Sequence, residues 1–122
     1  MKAFTLVEIM VVLTIIGLLA LIAFPLYSHV RQSAARGTAK SDGALLAGAA
    51  QRYYLDCGAT IVPVSVLLDS STGYIASLSA GNLVPAANMV DDPSYTFEID
   101  NPFLQDGGLT FNYQGQVIGD PY

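Results

Sequence analysis

The chain has 122 residues, 52% of them hydrophobic, and its five Lys and Arg against ten Asp and Glu leave a formal net charge of −5. That length fits one folded unit plus a membrane segment rather than two globular domains. The acidic balance argues against a nucleic-acid-binding surface, which wants clustered Lys and Arg, and the single cysteine, Cys57, excludes an intrachain disulfide or any Cys-pair metal or haem motif.

From Phe4 to Tyr27 the sole charged residue is Glu8. As a helix rising about 1.5 Å per residue the run spans roughly 36 Å, enough to cross a hydrocarbon core of about 30 Å. A carboxylate held deep in a bilayer costs about 2.5 to 3.5 kcal/mol, so Glu8 calls for a partner and is a functional candidate by default. A secretory signal peptide has a shorter apolar core ending in small residues. Here Phe24-Pro25-Leu26-Tyr27 stands at that place, so the segment is expected to be kept. Gly17 and Pro25 weaken the helix, because Pro25 offers no N–H to the Leu21 carbonyl and Gly17 adds backbone entropy. These residues alone leave open a simple kink or a segment that unwinds.

The helix is expected to continue to about residue 57 and to turn amphipathic after His29. Ala39, Gly43, Leu46, Ala50, Tyr53 and Cys57 recur at steps of four and three, an apolar stripe for packing on a sheet, with Arg36, Lys40 and Arg52 free to reach solvent. On this reading Cys57 is a small buried hydrophobe, and Gly58 is a natural helix stop. Ile61 to Leu68 fits either an edge strand broken at Pro63 or a short helix beginning after it. Ser70 to Gly73 is a turn, and Tyr74 to Pro85 an irregular loop. Tyr95, Phe97 and Ile99 then alternate with polar residues, as do Leu109, Phe111 and Tyr113, which predicts two half-buried strands. Gln114-Gly115 turns the chain into a short third strand at Gln116-Val117-Ile118. The fold class is α+β: a long, partly transmembrane N-terminal helix packed on a small antiparallel sheet.

Ala3-Phe4-Thr5-Leu6-Val7-Glu8-Ile9-Met10-Val11-Val12, with Gly17 and Pro25 after it, resembles the N-terminus of the type IV pilin family of bacterial pilins and pseudopilins. The resemblance covers about residues 3 to 27. It implies a leader of residues 1–3, cut between Ala3 and Phe4 by a prepilin peptidase that also methylates the new Phe4 amine. Ala3 stands where the family usually has Gly and keeps the side chain small. By the same resemblance Glu8 and Phe4 form an assembly charge pair, and Gly17 and Pro25 bound a segment that melts on assembly. The division expected is leader 1–3, a membrane or filament-core helix half 4–30, an amphipathic helix half 31–58, and a loop-and-sheet region 59–122. Arg31, Arg36 and Lys40 follow the span, so a bare count of flanking cations orients it opposite to the family.

No catalytic constellation stands out: His29 is the lone histidine, beside the membrane boundary, and no triad, phosphate loop or metal-type His spacing occurs. Asp91, Asp92, Asp100, Asp106 and Asp120 lie in C-terminal loops and could offer oxygen ligands to Ca²⁺, as the major pseudopilin's loops do; without ligand spacing, solvated loop acids are the expectation and no cofactor is assigned. The function implied is a non-enzymatic subunit of a homo-oligomeric, type IV pilus-like helical filament. Its precursor would sit in the bacterial inner membrane beside the pilus assembly machinery, and the assembled filament would be extracellular. A pseudopilin of type II secretion is the alternative within the family. A membrane-anchored binding domain that never polymerises is the alternative of another class.

Overall fold

The computed structural model describes residues 2–121; Met1, the first residue of the expected leader, and Tyr122, the last of the sheet region, lie outside the described residues. In chain order the elements are α1 (Leu6–Cys57), β1 (Ile61–Pro63), α2 (Val64–Leu67), β2 (Asn88–Val90), β3 (Thr96–Ile99), β4 (Leu109–Asn112) and β5 (Val117–Gly119). The chain is α+β, as its patterning predicts. It divides into two compact units, Met1–Ser33 and Ala34–Tyr122, and α1 contributes to both.

In the first unit α1 is apolar all round, and every side chain from Leu6 to Val30 is exposed. By length and composition this helix can cross a membrane. Its start differs from the expected one: residues 2–5 are not helical, and α1 begins at Leu6 rather than Phe4. The helix runs through Gly17 and Pro25 without interruption. Two hydroxyls within the apolar run are satisfied by the helix's own carbonyls, Thr14 Oγ1 donating to Met10 O at 2.8 Å and Ser28 Oγ to Pro25 O at 2.9 Å, which is how such groups are tolerated where no water reaches.

In the second unit the buried face of α1 is Ala35, Ala39, Asp42, Gly43, Leu46, Ala47, Ala49 and Ala50. The stripe read from the sequence is buried from Ala39 through Ala50, half-buried at Tyr53, and then ends, because Cys57 is exposed. The expectation of a buried thiol fails for a physical reason: periodicity shows which face of a helix is apolar but not how far along that face its cover extends. Gly58, at φ 66°, closes the helix and donates its N–H to Tyr54 O at 2.8 Å, the arrangement expected of a glycine C-terminal stop.

The small residues on this face let the sheet come close. A Cβ built on Gly43 would lie 2.3 to 2.6 Å from three atoms of the Phe111 ring, so the ring rests directly on the helix backbone there. Phe111 is fully buried and stacks on Phe97 with centroids 5.3 Å apart and planes 15° from parallel. β3, β4 and β5 form an antiparallel meander in which Phe97 faces Phe111 and Ile99 faces Leu109. Tyr95, expected in the first of these strands, precedes it and is half-buried, its hydroxyl donating to Asn88 O at 2.5 Å.

Both readings of Ile61 to Leu68 hold in part. β1 ends at Pro63, and α2 begins at Val64. β1 pairs antiparallel with β2, a strand absent from the sequence reading, and places fully buried Val62 opposite Met89. Leu46, Leu67, Ile99 and Leu109 complete the largest fully buried side chains of one core shared by helix and sheets.

Candidate functional site

The residues singled out for processing lie at the start of α1. Ala3 and Phe4 are exposed and non-helical, so the peptide between them is free of helical hydrogen bonding. Thr5 is the residue before the first helical one. Its backbone N–H donates to Glu8 Oε2 at 2.7 Å and its hydroxyl to the same oxygen at 3.0 Å, while Glu8 N–H donates back to Thr5 Oγ1 at 3.2 Å. This is a reciprocal capping box, whose signature is Ser or Thr followed three residues later by Glu or Gln. Thr5-Leu6-Val7-Glu8 carries that signature in plain view; the sequence reading took Glu8 as a partner for a charge and passed over its local role. With Thr5 O accepting the first helical bond from Ile9 N at 3.3 Å, the cap explains why α1 begins two residues after Phe4.

Gly17 and Pro25, the expected ends of a melting segment, both lie inside continuous helix with exposed surroundings. Tyr27, at the far end of the apolar run, carries the Arg31 guanidinium 5.3 Å from its ring centroid. That stacked cation and the neighbouring exposed His29 suit the polar edge of a membrane.

Of the loop acids, Asp106 and Asp120 line one surface depression with Glu98, and Asp91 lines another with Gln51, Tyr54 and Leu55. Asp92 Oδ1 accepts from Ser94 N at 2.7 Å and Ser94 Oγ at 2.6 Å, and these bonds hold its carboxyl below the usual range. Asp100 Oδ1 accepts from Asn101 N at 2.8 Å. Asp120 is held against α1 by the Arg36 guanidinium, whose Nε donates at 3.1 Å, and by Lys40 Nζ at 3.2 Å. Two of the three cations after the span are thereby neutralised by an acid from the far end of the chain. Among the described residues no group of three or more His, Cys, Asp and Glu side chains converges as a metal site would.

Asp42, which the sequence reading missed, is a buried charge of the second unit, 4% exposed on the sheet-facing side of α1. Its carboxylate accepts from Ser79 N at 2.7 Å, Ser79 Oγ at 2.9 Å and Asn82 Nδ2 at 2.7 Å. Asn82 Oδ1 in turn accepts from buried Asn101 Nδ2 at 2.6 Å, so one polar chain ties the irregular loop and the β3–β4 connection to the helix. An acid lying between Ala39 and Leu46 and next to Gly43 on the apolar stripe was the available signal. Tyr54 is the opposite case: its buried hydroxyl has no hydrogen-bond partner among the described residues. Burial, with Asp91 and Tyr95 nearby, pushes its pKa up to about 12.

Residues 1–24 match the family model described as the prokaryotic N-terminal methylation motif. A type IV major fimbrial protein, FimA of Dichelobacter nodosus, is 33% identical over 108 residues, which is 87% of this chain and 62% of that relative. This chain is similar to the type IV pilins. It spans less than two thirds of that fimbrial relative's length. No solved structure matches it. The motif carries the identification at the N-terminus, and the exposed apolar helix with the Thr5–Glu8 cap at its start is what that motif looks like when folded.

Proposed function

We propose that this chain is a subunit of a bacterial type IV pilus-like helical filament, a homo-oligomer whose precursor is stored in the inner membrane by residues 4–30. The observation that supports this most is the all-round apolar exposure of α1 from Leu6 to Val30, interrupted by one acid at its start. Such a surface needs lipid around it in the precursor and other copies around it after extraction. A membrane-anchored binding domain needs only the lipid, but has no use for a carboxylate just after a cleavage-type motif.

In this reading a prepilin peptidase hydrolyses the Ala3–Phe4 peptide. The Ala3 carbonyl leaves as a carboxylate, and the Phe4 nitrogen becomes an amine that is protonated at neutral pH and methylated. Before the cut that nitrogen is an amide and carries no charge. Afterwards Glu8 of one copy neutralises the Phe4 ammonium of its neighbour. In an apolar filament core an unpaired charge is very costly while a paired and hydrogen-bonded one is tolerated, so the cut makes docking possible and the pairing sets the stagger. Gly17 to Pro25 is the segment that unwinds as copies pack; about eight residues going from roughly 1.5 to 3.3 Å each lengthen it by about 14 Å. A filament map with unbroken helix from Leu13 through Val30 would exclude that step.

The experiment for the function as a whole is imaging of cells with the gene, without it, and with Glu8→Gln as the sole copy. Long surface filaments should vanish on deletion. They should be sharply fewer with Glu8→Gln although that chain is still cut and membrane-resident. Filaments unchanged by deletion would refute the reading, and a requirement for secretion without surface filaments would favour the pseudopilin.

A further inference from the structure

Ile9 to Val30 holds no Asp, Glu, Lys or Arg, and Glu8 and Arg31 stand at its two ends on one continuous helix. Between those two residues the helix rises about 35 Å, at roughly 1.5 Å per residue. A tilt of about 20° shortens that to about 33 Å. The hydrocarbon of a bilayer is about 30 Å thick, and about 40 to 45 Å with its headgroups. A helix that keeps both charges out of the hydrocarbon therefore sets Arg31 in the headgroup layer opposite Glu8, level with the lipid phosphates. Arg36 lies about 7.5 Å farther along the helix, and both it and Lys40 are engaged by Asp120. We propose that Tyr27 and Arg31 form a binding site for the phosphate of an anionic phospholipid, which holds the precursor at one depth in the inner membrane. The proposal rests on membrane storage of the precursor and adds the lipid that the anchor recognises.

Tyr27 and Arg31 are four residues apart and share one helix face. The guanidinium carbon lies 5.3 Å from the ring centroid, so the ring covers one flat side of the cation. A guanidinium's N–H donors lie in its plane, in a fork that matches two phosphate oxygens. Held by its face against the ring, the cation turns that donor edge outward with its rotamers already restricted, which lowers the entropy cost of binding. Tyr27 is 63% exposed, and an amphipathic ring with a polar tip suits the same layer. His29 falls about 200° round the helix from Tyr27, at roughly 100° per residue, and has no part in the site. Charge decides the class of lipid. A zwitterionic headgroup brings its own ammonium to its phosphate, whereas a glycerol headgroup leaves the phosphodiester charge for the protein to neutralise. An acid of a second copy is the rival occupant, but the precursor meets lipid before it meets another copy.

The test reconstitutes the full, uncut chain into phosphatidylcholine bilayers carrying a trace of spin-labelled phosphatidylglycerol or spin-labelled phosphatidylcholine. The fraction of each probe immobilised at the protein surface gives their relative affinity. Phosphatidylglycerol should be preferred about threefold to fivefold at low salt, the scale of one surface Arg against an anionic headgroup, and less as salt rises. Arg31→Gln should bring the preference close to one, and Tyr27→Leu should at least halve it. Arg52→Gln, a cation outside the first unit, should leave it unchanged. Equal affinity for the two lipids in the parent chain overturns the proposal, as does an undiminished preference in Arg31→Gln or in Tyr27→Leu. A loss from Arg52→Gln as large as that from Arg31→Gln also overturns it, since net charge alone would then set the preference. An Arg31→Gln chain that keeps its lipid preference yet yields fewer filaments assigns Arg31 to an interface between copies instead, and overturns it too. Immobilisation of neither probe would overturn membrane storage itself, whereas an immobilised shell without preference leaves that reading standing.

Discussion

Gly43 offers the sharpest test of how the second unit is packed. Replacing it with Ala puts a methyl where the ideal Cβ lies 2.3 Å from Phe111 Cε1, 2.4 Å from Cζ and 2.6 Å from Cδ1. The ring cannot retreat easily, because Phe111 is fully buried and stacked on Phe97, itself 3% exposed. Overpacking costs about 1 to 3 kcal/mol, and three contacts this short against a confined ring put Gly43→Ala at the upper end. Helix propensity returns about 1 kcal/mol, leaving a net loss of about 2 kcal/mol. At about 4 to 8 °C per kcal/mol for a unit of this size, the midpoint should fall by roughly 8 to 16 °C. Gly48 is an internal control on the same helix, since a Cβ there meets nothing within 4 Å, and Gly48→Ala should raise stability by about 0.5 to 1 kcal/mol. The assay is thermal unfolding of the detergent-solubilised chain, followed by the near-ultraviolet dichroism of its tyrosines. Phe111→Leu combined with Gly43→Ala should cost less than the sum of the two single losses. A Gly43→Ala chain as stable as Gly48→Ala would refute the close approach of sheet to helix.

Asp42→Asn replaces an acceptor oxygen by an NH2 facing donors from Ser79 and Asn82; loss of about 2 to 3 kcal/mol in denaturant titration is expected, against less than 0.5 for an exposed acid. Asp120→Asn breaks the contact with Arg36 and Lys40, whose side chains are 34% and 44% exposed. The loss should be about 0.5 to 1 kcal/mol and shrink as salt screens the pair, which unfolding at low and high ionic strength would show. The Tyr54 pKa is raised from 10.0 to about 12 in the folded chain, so between those values the unfolded chain has lost its proton and the folded one has not. Its contribution is thus fully present below pH 10 and lost as pH rises through about 12. Tyr54→Phe should flatten that alkaline decline in a midpoint-versus-pH series and cost little at neutral pH, since the hydroxyl donates to no described residue.

The strand alternation at Phe97/Ile99 and Leu109/Phe111 and the helical stripe from Ala39 to Ala50 could be read from sequence because each is a local pattern with one buried face. What could not be read depends on distant partners. β2 has three residues and exists because its Met89 meets Val62 of β1 across the sequence between them, a pairing that no local period announces. Asp42 went unread, and the three donors that hold it come from Ser79 and Asn82, far along the chain. Cys57 continued a true stripe past the point where the core ends. At the candidate site, composition and motif singled out Ala3, Phe4 and Glu8 as candidates. The bonds from Thr5 to Glu8 Oε2 required coordinates.

The central claim, that this chain is a processed filament subunit, is tested most directly by intact mass of the chain recovered from sheared surface filaments. The account predicts a single species lacking Met1-Lys2-Ala3 and carrying one methyl group on the Phe4 amine. A chain that retains residues 1–3 in filaments, or that is cut and membrane-resident yet absent from every filament the cell makes, would contradict it.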